Sequence, residues 1–500
     1  MTRSIQLISL AVLAAFALAL SGCGGDDSDS PLDNALGYLP ESAPLVLTSK
    51  TNPDDAQIKA GFEIIGDTPL GAPLQEQLEG VLSGDVTFED DIAPILGNDV
   101  VIGAQNAAAI DNDDYLAALQ VKDKDKAEEL VRTDSERDGE AEGVEVYRDD
   151  DTYAAVHDDV LLLSNSKQNI GAAIKQRDAD DRFREEKLDD ALETLPEDAV
   201  ASAYFAVRPF LEQSDDDDAD QALKVKWVAA LESVGLSASI SNDKVEVGLN
   251  VKTDPSGLTQ ADVPIASGAQ SPAVLRREGG SPSISVSLRD PAASIQFAQT
   301  AGKQASPGGY AEFQSALDQI KRGADIDVER DVFGQFTGDT SASIDLDGKF
   351  ALRSQVTDAA GLKAAFDKFG RTVARAGRPG ARQFRAPKKG DDLFTFTTDD
   401  GDRFAFGVVD NLFVAGNDAD KVAEVAAQPT TQVSGARGAF AANADAKAIA
   451  GELVAQALGA NLGGFGGQAA AQFTGPLGEL NGSLEGDTSG VRGKFSLDLE

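Results

Sequence analysis

The sequence is poor in the residues that build the commonest metal, redox and catalytic sites. Its 500 residues include one cysteine, one histidine, one tryptophan and one methionine. The single cysteine excludes an intramolecular disulfide and a cysteine-based zinc site, and the single histidine excludes a site with several histidine ligands. Lys and Arg number 44 against 84 Asp and Glu, which gives a formal net charge of −40. The basic footprint that nucleic acids require is missing, so we expect no nucleic-acid partner.

Motifs for nucleophilic or phosphate chemistry are missing too. The chain has no Gly-x-Ser-x-Gly elbow, and the glycine-rich residues 463–467 lack the Lys-Ser/Thr that completes a phosphate loop. His157 flanks a predicted hairpin turn, and Val409 stands at the matching place later in the chain. We therefore interpret His157 as an exposed turn residue, with a general-base role as the less favoured alternative. The sequence predicts a protein that is not an enzyme, although a hydrolase that uses only carboxylates stays open.

Acidic runs are abundant but do not form a recognisable metal loop. Residues 111–114 and 215–218 lack the glycine and glutamate spacing of an EF-hand. We interpret them as solvated charge runs, with weak calcium binding at the surface as the alternative, and we expect no cofactor.

The first 22 residues have the pattern of a signal peptide. Arg3 precedes the apolar residues 5–20, a stretch of sixteen that is short for a membrane-spanning helix. It ends in Leu20-Ser21-Gly22-Cys23, which resembles the bacterial lipoprotein signal. That resemblance implies lipidation of Cys23 and cleavage after Gly22. An ordinary secretory signal with a chance cysteine is the alternative.

The resemblance places the chain on the extracytoplasmic side of the cell membrane, anchored by acyl chains on Cys23. Two or more acyl chains are needed for stable anchoring. Residues 23–34 are rich in Gly, Ser and Asp, and we predict that they form a flexible, extended tether. No later segment is long and apolar enough to span a bilayer.

The rest of the chain contains an internal duplication. Residues 88–99 align with residues 328–339 at an offset of 240, and residues 156–165 align with residues 408–417 at an offset of 252. The order of the matches is preserved, as expected for two copies of one unit that differ in loop length. We predict a first domain over residues 35–253, a linker rich in Pro, Gly and Ser over residues 254–272, and a second domain over residues 273–500.

Each copy predicts an α+β domain with a mainly antiparallel sheet and covering helices. The Asp158-Asp159 and Asp410-Asn411 pairs are typical of hairpin turns, and Asp123, Asp358, Ser166 and Asp418 precede helical patterns as N-caps. Alternation of these hairpins with helices favours the α+β class. The strand-like segments are residues 45–49, 100–105, 115–121, 245–251, 284–288 and 493–499.

These features together resemble a family. A lipoprotein signal, an acidic tether, the Leu-Pro motifs Tyr38-Leu39-Pro40 and Thr194-Leu195-Pro196, and a duplicated strand–turn–helix pattern resemble the bacterial family catalogued as domain of unknown function 3352. The resemblance covers most of residues 35–500. It implies no catalytic residues, because none are established for the family.

The two copies differ most in charge. Residues 124–151 carry twelve acids and five bases, a net charge of −7, whereas the equivalent residues 359–389 carry nine bases and one acid, a net charge of +8. The basic segment is a solvated face, a partner for the acidic segment, or a contact for anionic lipid or wall polymers. The candidate residues of this patch are Arg371, Arg375, Arg378, Arg382, Arg385, Lys388 and Lys389.

We therefore predict a membrane-anchored lipoprotein that acts as a non-catalytic binding or interaction module of the cell envelope. Its partners are membrane lipid through Cys23 and an envelope polymer, lipid or protein. The main alternative is a carrier that holds an apolar or small ligand in a sheet-lined cavity. A dry cavity of sufficient size would favour the carrier, and filled cores would count against it.

Overall fold

The computed structural model of the protein describes most of the chain after the predicted tether. The predicted lipidation signal, most of the tether and the glycine-rich residues 463–467 lie outside the described residues. No helix within the described ranges combines the length and apolar composition that crossing a membrane requires. The described residues are 30–66, 88–112, 114–133, 135–213, 217–265, 268, 270–277, 282–376, 384–387, 392–397, 401, 403–459 and 474–499.

Helices and antiparallel strands are both abundant, which confirms the predicted α+β class. Contacts divide the chain into two compact units. The first consists of Met1–Asp215 and Glu232–Lys252, and the second consists of Asp216–Leu231 and Thr253–Glu500. Residues 254–272, whose composition suggests a linker, fall within the second unit and include a 3-10 turn at Gln260–Asp262.

The first unit contains seven described helices and ten strands, with short π and 3-10 turns at Phe88–Ile92 and Ala93–Ile95. Its helices are α1 (Pro31–Leu36), α2 (Ala56–Gly66), α3 (Ala107–Asp111), α4 (Lys124–Thr133), α5 (Lys167–Arg177), α6 (Glu185–Leu192) and α7 (Val207–Gln213). Its strands are β1 (Leu45–Ser49), β2 (Val100–Ala104), β3 (Leu116–Gln120), β4 (Glu136–Ala141), β5 (Val144–Asp149), β6 (Thr152–His157), β7 (Val160–Ser164), β8 (Ala201–Phe205), β9 (Leu231–Ser241) and β10 (Lys244–Thr253).

The strands of the first unit pair in the order β4-β5-β6-β7-β3-β2-β1-β8-β9-β10. Successive side chains of a strand point to opposite faces of the sheet. On one face, α1, α5 and α6 supply a core in which Leu36, Tyr38, Ile170 and Phe183 are buried against the strands. On the other face, α4 packs Ala127 and neighbouring apolar residues over β3, β6 and β7. The rest of this second face, over β1, β2 and β8–β10, carries the candidate site.

The second unit contains eight described helices and twelve strands, with a 3-10 turn at Phe333–Gln335. Its helices are α8 (Asp217–Ala222), α9 (Lys226–Ala229), α10 (Pro291–Ala305), α11 (Pro307–Ala324), α12 (Val328–Asp331), α13 (Ala359–Ala376), α14 (Ala419–Ala427) and α15 (Ala446–Gly459). Its strands are β11 (Val274–Leu275), β12 (Ser283–Leu288), β13 (Thr340–Asp345), β14 (Phe350–Gln355), β15 (Phe384–Arg385), β16 (Leu393–Thr397), β17 (Arg403–Val409), β18 (Leu412–Gly416), β19 (Thr430–Thr431), β20 (Phe440–Asp445), β21 (Leu477–Asp487) and β22 (Gly490–Leu499).

The second unit repeats the strand order of the first. Its sheet runs β15-β16-β17-β18-β14-β13-β12-β20-β21-β22, while β11 and β19 form a separate pair. Each strand therefore has a counterpart at the same place in the first unit, so that β1 matches β12, β2 matches β13, β8 matches β20 and β9 matches β21. The shared order is a property of the described strands, and the duplication itself stays a prediction.

Local sequence signals explain several element boundaries. Asp123 and Asp358 accept hydrogen bonds from the backbone amides of Lys126 (3.0 Å) and Gly361 (2.8 Å), and so cap α4 and α13 as predicted. Asp418 caps α14 in the same way, whereas Ser166 occupies the N-cap position of α5 without a capping hydrogen bond from its side chain.

The predicted hairpin turns are also present. Asp158, Asp159 and Asp410 have positive φ angles of 47°, 63° and 52°, and they connect β6 to β7 and β17 to β18. Aspartate tolerates this backbone region better than most residues, which is why these short turns suit the sequence.

A polar clamp fixes α2 to the sheet of the first unit. Lys50 forms ion pairs with Asp55 (2.8 Å) and with Asp198, while Gln57 accepts from the amide of Ile240 (2.8 Å). Burial favours the neutral form of Asp55, but hydrogen bonds from Lys50 and the amide of Gln57 outweigh it and hold the pKa of Asp55 below its usual value. The clamp therefore stabilises α2 most when Asp55 is ionised.

We predict that Leu162→Ala lowers the free energy of unfolding of the first unit by about 2–5 kcal/mol, because it leaves a cavity in the buried core. Leu162 is fully buried on β7. Leu236→Ala is the matched control: Leu236 is 40% exposed, and its loss should cost less than about 1 kcal/mol. Urea unfolding of the two variants measures the difference, and equal costs would contradict this assignment of the core.

We predict that Asp55→Asn destabilises the first unit by about 1 kcal/mol at neutral pH and that the effect fades in acid. Asparagine still caps α2, so the variant removes the charge alone. Since the folded-state pKa of Asp55 is lowered, its contribution is complete above the unfolded value of about 3.9 and is lost as the pH falls through the folded value.

Urea unfolding between pH 7 and pH 3 tests this prediction. The control is Asp54→Asn, which removes the exposed pair with Lys59 and should change stability by less than about 0.5 kcal/mol. A deficit in Asp55→Asn that is independent of pH would show that the ionised carboxylate is not what fixes α2.

Candidate functional site

An apolar groove of 310 Å³ lies on the open face of the first unit's sheet. Two rows of directly paired residues form its floor. Since directly paired residues of antiparallel strands point to the same face, each row is continuous across four strands. One row is Ile102–Leu47–Ala203–Leu236, and the other is Val100–Ser49–Ala201–Ala238.

The groove exists because small side chains meet at its centre. Ser49, Ala201, Ala203 and Ala238 occupy β1, β8 and β9, and larger lining side chains surround them: Val100 and Ile102 on β2, Leu47 on β1, Leu236 on β9 and Val247 on β10. A row of alanine and serine between isoleucine, valine and leucine leaves a depression that the neighbouring side chains do not fill. The register of β1, β8 and β9 therefore shapes the groove.

Apolar groups close both ends of the groove along the strand direction. At one end, Ile58 and Phe62 of α2 pack against Ala201, Ala238 and Ile240. At the other end, the ring of Phe205 stacks on Phe210 of α7 with the ring centres 4.5 Å apart. The clamp on α2 thus also fixes one wall of the site.

The lining is almost entirely apolar. Among the lining side chains on the open face, Ser49 alone is polar, and its hydroxyl donates to the main-chain oxygens of Val200 (3.2 Å) and Lys50 (3.3 Å). Leu236 and Val247 remain 40% and 38% exposed, so large apolar side chains face solvent on the β9–β10 side. The volume lies at the lower end of the range of small-molecule pockets.

The matching strands of the second unit carry larger side chains at the same positions. When the units are matched by strand order and register, Leu288, Phe440 and Leu484 replace Ser49, Ala201 and Ala238. In the neighbouring row, the ring of Phe495 lies against Gly482. Larger side chains therefore occupy, in the second unit, the positions that form the centre of the depression in the first.

Acidic groups surround one end of the groove. Lys50 follows the last residue of β1 and is held by Asp55 and Asp198, and Asp99 precedes the first residue of β2. Burial raises the pKa of the Asp99 carboxyl, although the charge of Lys50 opposes the rise.

The predicted basic patch is only partly described. Arg371 on α13 and Arg385 on β15 are exposed, while the side chains of Arg375, Arg378, Arg382, Lys388 and Lys389 lie outside the described residues. Two further bases of the segment pair with acids beyond it, Lys363 with Asp392 and Lys368 with Asp325 (3.1 Å). Neighbouring acids therefore reduce the positive charge that the segment's own composition indicates.

The acidic segment is likewise balanced within its own unit. Lys167 and Lys175 of α5 pair with Asp138 (3.3 Å) and Glu142 (2.8 Å) of the β4–β5 hairpin. These pairs dock the hairpin on α5. The contrast between the two segments is thus smaller in the fold than in the sequence.

His157 is half-buried, which corrects its interpretation as an exposed turn residue. Its side chain is 20% exposed. The Tyr38 hydroxyl donates to the main-chain oxygen of His157 (2.9 Å), and the Nδ1 atom of His157 lies 2.9 Å from the same hydroxyl. The imidazole and the main-chain oxygen of His157 both contact the Tyr38 hydroxyl, which gives the residue a structural role.

Two features of the described carboxylates bear on hydrolytic chemistry, namely metal binding and raised pKa values. In the ranges that the structure describes, no group of three or more His, Cys, Asp or Glu could hold a metal ion. Burial raises the pKa of both Asp99 and Asp189, but different acids act on them: Glu185 and Asp55 on Asp99, and Glu197 on Asp189. They do not form the coupled pair that a carboxylate-only hydrolase needs.

Comparisons with curated proteins and with solved structures give little information about the chain. No curated protein matches the sequence. Crystal form IV of TP0453 is similar with a TM-score of 0.26 at 8% identity, covering 45% of this chain and 81% of that chain. Crystal form III of TP0453 gives a TM-score of 0.25 at 8% identity, covering 45% and 82%. A likeness at this level carries no inference about function.

The family model described as "Protein of unknown function (DUF3352)" matches residues 4–376. The match includes all but the first three residues of the first unit, with its groove, and the second unit as far as α13. It agrees with the resemblance drawn from the Leu-Pro motifs and the duplicated pattern. Because the model covers more than half of the sequence, the chain belongs to this family.

Proposed function

We propose that the protein is a non-catalytic binding protein of the cell envelope that holds an apolar chain in the groove of its first unit. The observation that carries the proposal is the 310 Å³ groove, whose open face is apolar except for one serine. Burying a methylene group contributes about 0.8 kcal/mol, so an acyl or similar chain gains affinity with each carbon that it places on this floor.

The shape of the groove favours a chain over a compact ligand. Its floor crosses β2, β1, β8 and β9, and neighbouring strands lie about 4.8 Å apart. The walls at Ile58 and Phe205 restrict its extent along the strands, while Leu236 and Val247 continue the apolar surface across them. An extended chain lying across the strands matches these limits.

We also propose that the protein is anchored to the extracytoplasmic side of the membrane through Cys23. The sequence Leu20-Ser21-Gly22-Cys23 supports this proposal. An anchored carrier would meet lipid-like ligands at the surface where they are concentrated. A surface that binds an envelope polymer or protein is less favoured, because the basic segment is partly neutralised by Asp325 and Asp392.

We predict that Ala201→Phe weakens binding of the neutral fluorophore N-phenyl-1-naphthylamine at least tenfold, because the ring occupies the centre of the groove. Phenylalanine stands at the matching position of the second unit, Phe440, so the fold accommodates it. Fluorescence titration of the full chain measures the affinity. The apolar N-terminal segment is common to all variants, so the difference between them isolates the groove.

The control is Ala201→Ser, which keeps the groove open and should bind the fluorophore like the wild type. Ala203→Phe fills the neighbouring row and should repeat the loss, and circular dichroism checks the fold of each variant. Wild-type affinity in both phenylalanine variants would remove the groove as the binding site.

We predict that Cys23→Ser abolishes metabolic labelling of the protein with an alkyne-tagged fatty acid, because serine lacks the thiol that takes the lipid. Ser21→Ala keeps a small residue before the cleavage position and should be labelled normally. The intact mass of the wild type should correspond to cleavage after Gly22. Labelling that persists in Cys23→Ser would refute anchoring at this residue.

A further inference from the structure

The charges around the groove bear on the kind of head group that its ligand carries. This inference rests on the proposed function, since it concerns the ligand of the same site. The lining itself contains no charged residue. A charged head group would therefore need a partner on the elements that border the groove.

The bases on these bordering elements are already paired with acids. Lys50 is held by Asp55 and Asp198 after β1, and Lys59 of α2 by Asp54 (2.7 Å). Arg208 of α7 pairs with Glu212 (3.9 Å). On β10, which carries the lining residue Val247, Lys244 pairs with Glu246 (3.4 Å), and Lys252 pairs with Asp190 and Glu193.

The local balance is negative at the end of the groove where α2 packs. Lys50 there faces two carboxylates, and Asp99 adds a third acidic group whose burial raises its pKa. A ligand carboxylate or phosphate at this end would have to displace an existing ion pair or accept repulsion. Along β10, Lys244 and Lys252 are each an odd number of residues from the lining residue Val247 and so point to the opposite face of the sheet, which leaves no excess positive charge on this side of the groove either.

Anionic amphiphiles face a long-range penalty as well. The chain carries a net charge of −40, and a field of that sign lowers the local concentration of anions. An anionic head group that enters the groove loses its hydration without gaining a partner, which is costly. An anionic head group that stays in water keeps the first carbons of its chain out of the groove. A neutral head group avoids both costs.

We infer that the groove selects apolar chains with an uncharged head, such as long-chain alcohols, esters or neutral lipids, over fatty-acid anions and other anionic amphiphiles. The selection comes from the uncharged floor and from the pairing of each bordering base with an acid. Ser49 adds no discrimination, because its hydroxyl is bound to main-chain oxygens.

The test is competition of three twelve-carbon probes against N-phenyl-1-naphthylamine bound to the full chain at neutral pH. Dodecan-1-ol, methyl dodecanoate and dodecanoate share the chain length and differ in the head. We expect the alcohol and the ester to displace the fluorophore at concentrations at least tenfold lower than dodecanoate. The fluorescence change of Ala201→Phe is subtracted from that of the wild type at each probe concentration. The subtraction removes the contribution of fluorophore bound outside the groove.

The outcomes separate the inference from the proposed function. Displacement by dodecanoate at the same or a lower concentration than dodecan-1-ol overturns the inference and leaves the proposed function standing. Failure of all three probes to displace a fluorophore that binds the groove also overturns it. If the fluorophore binds the wild type no better than Ala201→Phe, the proposed function itself fails.

Discussion

The antiparallel register of β1, β8 and β9 is the constraint on which the candidate site depends. Direct pairing places Ser49, Ala201 and Ala238 side by side on one face, and Tyr204 and Val46 on the other. A shift of one residue in any of these strands would turn the buried side chains toward the groove and the small ones into the core. The helices on the core face therefore secure the groove indirectly, because burial of Val46 and Tyr204 leaves β1 and β8 no alternative register.

Electrostatics and packing act on separate parts of the first unit. The acids lie mostly on its surface and in turns, where Asp158 and Asp159 also serve backbone geometry. The groove floor carries no charge. The floor therefore attracts no ions of opposite sign, although the protein as a whole is strongly acidic. Like-charge repulsion between copies then opposes association through this face, which an exposed apolar surface would otherwise favour.

Local signals in the sequence predicted the elements well, because their causes are local. A capping carboxylate at Asp123 or Asp358 needs only the next three residues to act, and the turn at Asp158-Asp159 needs only a backbone that tolerates positive φ. The groove could not be predicted in this way. Ser49, Ala201 and Ala238 are far apart in the chain, and their small size has meaning only when the strands are paired.

The same distinction explains the error about His157. Its position beside a turn indicated exposure, but the residue that buries it, Tyr38, lies 119 positions away. The charge difference between the two copies is smaller in the fold than in the sequence for the same reason, since partners distant in the chain were not considered. Lys363 and Lys368 find their partners in Asp392 and Asp325, one outside each end of the segment whose composition was counted.

Comparison of the two units shows how one strand order can carry a depression lined by small residues in one place and larger side chains at the matching positions in another. The exchange of three small residues for Leu288, Phe440 and Leu484 adds apolar volume at the same positions without changing the ladder. Filling such a depression stabilises a sheet through burial, and leaving it open forgoes that stability. Under the proposed function, the bound chain would complete the packing of a depression that keeps both its end walls and its apolar floor. The clamp of Lys50 on Asp55 fits this explanation, since it holds the α2 wall by polar contacts that do not require the groove to be filled.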